Sequence, residues 1–236
     1  MSITRNHVRT KAFNSVASLP YELRLQDFDA EFARRRFTTR IDTEALTSPF
    51  ETALGARFAA APPAVRAAHC AGPVTRLRGM AEVRGAQTPL ARLIARLVGF
   101  PPATPSVPVR VTMRLGPGGI ETWERDFGGR RFASRLRAVR SGIVRESFGP
   151  FHFDMEMEAS AEALSMRVVG WRFGPCPMPA FLAPRSVATE TADADGRFRF
   201  DVPITLPLLG TLVHYSGYLE PEEVEATPVS AVPEAV

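Results

Sequence analysis

From residue 107 to residue 219 apolar and polar side chains alternate with a period of two, and this pattern decides most of what the chain can become. Val107, Val109, Val111 and Met113 alternate with Arg110, Thr112 and Arg114 up to a Gly116-Pro117-Gly118-Gly119 turn. Trp123, Arg125 and Phe127 then alternate with Glu124 and Asp126 up to Gly128-Gly129. Further strands are predicted over 132–139, 143–148, 151–158, 164–173, 186–191, 198–204 and 211–219, with an earlier one over 77–83. Short Gly, Asp and Pro links join most of them, which implies an antiparallel meander.

About nine or ten antiparallel strands with one apolar face must curl or close, because a large open sheet leaves edges and an uncovered face. The expected fold class is therefore α+β, mainly antiparallel β. It is a strongly curved meander sheet, a barrel or half-barrel, with N-terminal helices covering it. Ser48-Pro49 reads as an N-cap and first helical residue, with Phe50, Leu54 and Phe58 on one face before Pro62-Pro63. A further turn or two is expected over 65–70. Pro89 opens the clearest helix, with Leu90, Leu93, Ile94, Leu97 and Val98 on one face and Arg92 and Arg96 opposite, stopped by Gly99 and Pro101-Pro102. That apolar face is expected to pack against the sheet.

The chain of 236 residues is 45% hydrophobic and 23% charged, the composition of a globular protein. Its longest apolar stretch is too short and too broken by proline for a membrane span. Basic residues exceed acidic ones, 29 to 25, and Lys11 is the only lysine, so chemistry that needs a titrating amine is not expected. The arginines alternate with hydrophobics and are interleaved with acids, so no nucleic-acid stripe forms. Cys70 and Cys176 stand alone, which gives no disulfide framework or zinc knuckle. With no secretory signal evident, a cytoplasmic location is expected. The domain plan is a flexible or irregular segment over 1–45 that contains His7, one curved-sheet domain over 46–220, and a disordered tail over 221–236.

Several strings are familiar: PLARLIARLVGFPPA, WERDFGGRRFASRL, ESFGPFHF, VVGWRFGPCPMPAFLAPRS and DGRFRFDVPITLPLLGTLVHYSGYLEP, with LGARFAAAPPAVRAAH nearer the start. From about Phe50 to Pro221 the chain resembles the bacterial family called domain of unknown function 4166. That family occurs alone or behind a nucleotide-binding domain of the saccharopine-dehydrogenase type, and its activity is unassigned. The resemblance implies domain limits and no mechanism. The glycine clusters here lie between strands rather than in a strand-to-helix G-x-G-x-x-G, so the chain is at most the partner module of such a reductase, and no cofactor is expected.

His152, Asp154, Glu156 and Glu158 share one strand face, but groups two apart on a strand are separated by ~6.5 to 7 Å and cannot grip one small ion unaided. A solvated face is the plainer assignment, with Arg131, Arg135 and Arg137 as cross-strand partners, and no metal site is expected. Trp123, Arg125 and Phe127 differ, because a guanidinium shares the face of two large rings. Facing inward, it must be paired, for which Asp126 or Glu146 would serve, or must stack and anchor a ligand. His214 shares its face with Leu212, Ser216 and Tyr218, and is either a satisfied histidine or a base. His69 beside Cys70 is not a nucleophile pair, because neighbours on a helix point about 100° apart. The proline-rich run 174–185 is either a cavity mouth or a pinned crossover, and Arg185 at its end is a second anion contact.

The leading expectation is a domain that binds a small hydrophobic, acidic molecule in a barrel-like cavity, with Trp123, Arg125, Phe127, Glu146, Arg185, His214 and Tyr215 as ligand-binding residues. One alternative is a lyase, isomerase or cyclase in the same cavity, with His214, Glu146 or Tyr215 as acid/base and Arg125 as clamp. The other is an accessory domain that docks on a separate nucleotide-dependent reductase.

Overall fold

The computed structural model describes residues 47–70 and 72–222. The chain divides between Thr43 and Glu44 into two units, and every described residue belongs to the second. The expectations for 1–45, including His7, and for 223–236 lie outside the described residues.

Ser48 accepts a hydrogen bond from Glu51 N at 3.2 Å, and the Glu51 carboxylate accepts from Ser48 N at 3.2 Å. This capping box, with Pro49 in the first position, starts helix α1 (Pro49–Leu54). A 3-10 turn (Gly55–Ala60) leads into α2 (Pro63–Cys70), which buries Val65, Ala68 and His69. Helix α3 (Pro89–Val98) starts on Thr88, whose hydroxyl accepts from Ala91 N at 3.3 Å, and ends on Gly99 at φ 91°. The left-handed angle there suits glycine.

Ten strands follow the expected alternation and a two-residue strand, β8, is added in the proline-rich run: β1 (Val74–Gly85), β2 (Thr104–Gly116), β3 (Ile120–Phe127), β4 (Arg130–Arg140), β5 (Ile143–Phe148), β6 (Phe151–Ala159), β7 (Leu164–Phe173), β8 (Cys176–Pro177), β9 (Val187–Ala192), β10 (Phe198–Leu206) and β11 (Gly210–Pro221). Their order is β6-β5-β4-β3-β2-β1-β11-β10-β9-β7, and β6 pairs with β7, so ten strands close a barrel. The two-residue β8 adds only to β7. An even number allows every neighbour, including the β1–β11 seam, to be antiparallel. Of barrel and half-barrel, the chain forms the barrel, and closure removes the sheet edges.

At the seam Gly79 and Gly217 are required by close approach. A Cβ on Gly79 would sit 1.9 Å from Tyr218 O, and one on Gly217 would sit 2.1 Å from Met80 O.

Helices α1 and α2 cover one end of the barrel. There Gly142 in the β4–β5 turn donates to Ala53 O at 2.7 Å, and His69 stacks on Phe50 with centroids 4.0 Å apart. Helix α3, inserted between β1 and β2, lies at the other end and touches β11. Of its residues only Ala91 is fully buried, so the expected packing against the sheet is partial: Ile94 and Val98 reach the barrel interior while Leu90, Leu93 and Leu97 stay exposed.

The outer wall is charged. Asp154 pairs with Arg145 at 2.6 Å, and Glu156 pairs with Arg167. These replace the expected partners Arg131, Arg135 and Arg137, because β6 lies between β5 and β7 while those arginines stand on β4. Charged outside and apolar inside is the reverse of a transmembrane barrel. Among the described residues, no helix is long and apolar enough to cross a membrane.

Candidate functional site: an apolar cavity with two polar stations

The inward faces of the strands enclose a cavity of about 460 Å³. Its lining runs from Ala68 and His69 at the helix-covered floor, past Leu77, Val111, Leu136, Met155 and Phe200, to Ile94, Leu182, Pro184 and Leu206 at the opposite end, the mouth. That volume and this apolar lining suit a small organic ligand. The proline-rich run after β7 contributes Leu182 and Pro184, so it shapes the mouth.

Halfway up the wall stands the first polar station. The alternation of β3 turns Arg125 inward with Trp123 and Phe127. Arg125 Nη1 donates to Ser134 Oγ at 2.9 Å, and Nη2 donates to Glu146 Oε1 at 3.1 Å. Ser134 Oγ also donates to Glu146 Oε1, at 2.6 Å. The guanidinium carbon lies 4.7 Å from the Trp123 ring centroid and 5.5 Å from that of Phe132. Of the two carboxylates that could have answered the cation, the structure selects Glu146. Asp126 faces outward and pairs with Arg131 at 2.8 Å. Tyr215 of β11 also lines the cavity, and burial pushes its phenol up to about 12; the Arg125 charge opposes the shift and Glu146 adds to it.

The second station lies at the floor. His69 Nε2 sits 2.6 Å from Glu190 Oε2 of β9, both side chains being almost fully buried. The imidazole stacks on Phe50 and lies beside Trp123, at centroid distances of 4.0 Å and 5.6 Å, in a triangle of rings in which Phe50 and Trp123 are 6.0 Å apart. Burial lowers the His69 pKa, but Glu190 through charge and hydrogen bond, with help from Glu121, raises it above its ordinary value overall. Glu121 of β3 is itself pushed up by burial, against the Trp123 indole and the His69 charge. Trp123 Nε1 and the Glu121 carboxylate face each other without a well-formed hydrogen bond, and His69 Nδ1 has no hydrogen-bond partner among the described residues. Such groups cost free energy unless something meets them.

Of the seven residues singled out from sequence, Trp123, Arg125, Phe127, Glu146 and Tyr215 line this cavity. Arg185 lies in the mouth loop with its backbone bridged to Thr205, and its exposed side chain is not part of the lining. His214 points to the outer face, where Nε2 meets Asp201 Oδ1 at 2.6 Å. Sequence reasoning missed Glu121 and Glu190 and set His69 aside. Glu121 was detectable, because the phase that turns Trp123 inward turns Glu121 inward too. Among the described residues, no group of three or more His, Cys, Asp or Glu side chains could hold a metal ion.

A family model described as Domain of unknown function (DUF4166) matches residues 62–219. The chain belongs to this family. The DUF4166 match begins just ahead of α2 and ends inside β11, so it takes in both polar stations and leaves out α1. No curated protein matches the chain.

Proposed function

We propose that this DUF4166 barrel binds a small, mainly hydrophobic molecule along its axis, with one polar end at Arg125, Ser134, Glu146 and Tyr215. The observation that supports this most is the cavity itself: about 460 Å³ of apolar space inside a closed barrel, reaching from the floor to the mouth. Burying a lipid-sized chain there removes apolar surface from water at ~25 cal/mol per Å². An acidic end faces a constraint, because Glu146 already occupies the Arg125 guanidinium at 3.1 Å. A bound carboxylate must displace Glu146 or arrive protonated, whereas a hydroxyl or carbonyl can share the pair's remaining hydrogen-bonding capacity.

The test is titration of the full chain with a dansylated fatty acid, followed by displacement with an unlabelled fatty acid and with the matching alcohol. Saturable binding is expected, with the acid competing better in mildly acidic than in mildly alkaline buffer and the alcohol indifferent to pH. Val168→Trp and, separately, Val202→Trp project bulk into the cavity and should abolish binding while leaving the circular dichroism unchanged. A parent protein that neither binds the probe nor retains a ligand in native mass spectrometry overturns the proposal.

One observation favours a second reading, a lyase, isomerase or cyclase acting on such a molecule. It is the buried His69–Glu190 pair with Glu121 beside it and His69 Nδ1 unpartnered. A histidine oriented by a carboxylate is suited to moving a proton on a bound substrate. If that reading holds, parent protein and His69→Gln should retain chemically different molecules on chromatography of the released ligand. Identical ligands from both would leave binding alone.

A further inference from the structure

The barrel is strongly asymmetric end to end. Most of the large hydrophobic side chains left exposed among the described residues gather around the mouth, whereas Val74 and Ile120 lie at the floor end and Val169 and Val187 on the wall. Leu90, Leu93 and Leu97 form the outer stripe of α3, and Leu97 is 70% exposed. Phe181, 75% exposed, and Leu182 stand on the proline-rich loop across from them. Leu208, at the tip of the β10–β11 turn, is 99% exposed and adopts φ 66°. Nothing in the packing asks for leucine there.

Charge follows the same division. The connections at the mouth (86–103, 128–129, 149–150, 174–186 and 207–209) contain no Asp or Glu but carry Arg92, Arg96 and Arg185, all exposed. Arg130 at the start of β4 joins them by donating to Gly99 O at 3.2 Å. Acids do sit in the connections at the floor, as Glu162 and as Asp193 and Asp195, the last two paired with Arg197 of the same turn.

We propose that the mouth docks on the surface of an anionic lipid bilayer, with α3 and the Phe181 and Leu208 tips entering the headgroup layer. An amphipathic helix with leucines on one face and arginines on the other is built for that boundary. Arg92, Arg96 and Arg185 have no ion-pair partner among the described residues and complement an anionic leaflet, each adding attraction there. The position also serves the cavity, since Ile94 and Val98 of the same helix line it: a docked barrel opens its apolar interior onto apolar lipid. The docking stands on the outer residues, and only its use for exchanging a ligand rests on the binding reading above.

The experiment is co-sedimentation of the full chain with phosphatidylcholine vesicles, with and without phosphatidylglycerol, alongside the dansylated fatty-acid titration. The parent should pellet with the anionic vesicles and be released by salt. Leu93→Glu/Leu97→Glu should weaken partition by roughly tenfold or more. Arg92→Gln and Arg96→Gln should each cost roughly fivefold on anionic vesicles, the worth of one cation at such a surface. All these variants should keep probe binding, because none of the changed side chains lines the cavity. A parent that binds probe but not vesicles overturns the docking and leaves the binding reading intact. Vesicle binding unchanged in the leucine variant also overturns it. So does a dimer that the leucine variant converts to monomer without vesicle binding, which would make this face an interface between two copies.

Discussion

His69 Nε2 and Glu190 Oε2 meet at 2.6 Å across 121 residues of sequence, joining the covering helix α2 to strand β9 inside the barrel. The contact ties the end cover to the wall and places a titrating ring in an apolar surround. Breaking such a pair from one side leaves the other group buried and uncompensated, at ~3 kcal/mol or more. His69→Leu is therefore expected to destabilise the protein by about that much in urea denaturation, and His69→Leu with Glu190→Met by much less.

The same pair gives stability a definite pH dependence. The His69 pKa is raised above its ordinary 6.5, so the folded protein holds this proton more tightly than the unfolded chain does. Its contribution is full below 6.5 and is lost as pH rises through the higher folded value. Glu121, also raised, acts with the same sign from its ordinary 4.5 upward. Unfolding free energy measured from mildly acidic to alkaline pH should therefore fall, and His69→Gln should flatten the part of the slope above 6.5. A slope unchanged by that substitution would show that the ring does not titrate as described.

Arg125 is held by Glu146 and Ser134 of its own chain, so its removal should be felt in the free protein. Arg125→Met strands the half-buried Glu146 carboxylate and should cost ~3 kcal/mol, and Arg125→Met with Glu146→Leu should recover most of it. Thermal melts of the two variants without added ligand decide this. If Arg125→Met melts like the parent, the guanidinium is held loosely enough to serve an incoming anion, and the objection to a carboxylate ligand falls.

Gly79 and Gly217 mark where β1 and β11 crowd each other at the seam. Either one changed to alanine places a methyl group within about 2 Å of a backbone oxygen, which only a shift of the strand can relieve. Each is expected to cost at least ~2 kcal/mol and to raise hydrogen exchange along β1 and β11 before the rest of the barrel.

The strands were legible because the side-chain period is a local property: the run of Val109, Val111 and Met113 reads the same in sequence and in the barrel. Helix α3 was legible for the same reason. Closure was not, since it depends on β6 meeting β7 and β11 meeting β1, contacts that no local pattern records. The site divides along the same line. Arg125 announced itself by sharing a face with Trp123 and Phe127. Glu146 was named with it, but only as one of two possible partners. His69 next to Cys70 showed only that those two side chains diverge; its actual partner lies on a strand formed more than a hundred residues later. His214 looked equivalent to an interior residue because Leu212 shares its phase, and the bulge in the β10–β11 register between Ile204 and Thr205 lets Leu212 line the cavity while His214 faces out.

Leu208 carries the last prediction, because it breaks two rules at once. It is the only non-glycine with a positive φ among the described residues, and it is 99% exposed. A leucine in the left-handed region costs ~1 kcal/mol through contact between Cβ and its own backbone, with no burial here to offset it. Leu208→Gly removes that strain but also loosens the unfolded chain, so the net gain should be somewhat under ~1 kcal/mol, seen as a higher melting temperature. If the leucine is kept for the membrane, the same substitution should weaken partition onto anionic vesicles while the protein becomes more stable. Stability gained against function lost is the signature of a residue selected for what it touches outside the fold. A Leu208→Gly protein that is less stable than the parent would mean that this side chain packs against its own chain, and would take the β10–β11 tip out of the docking surface.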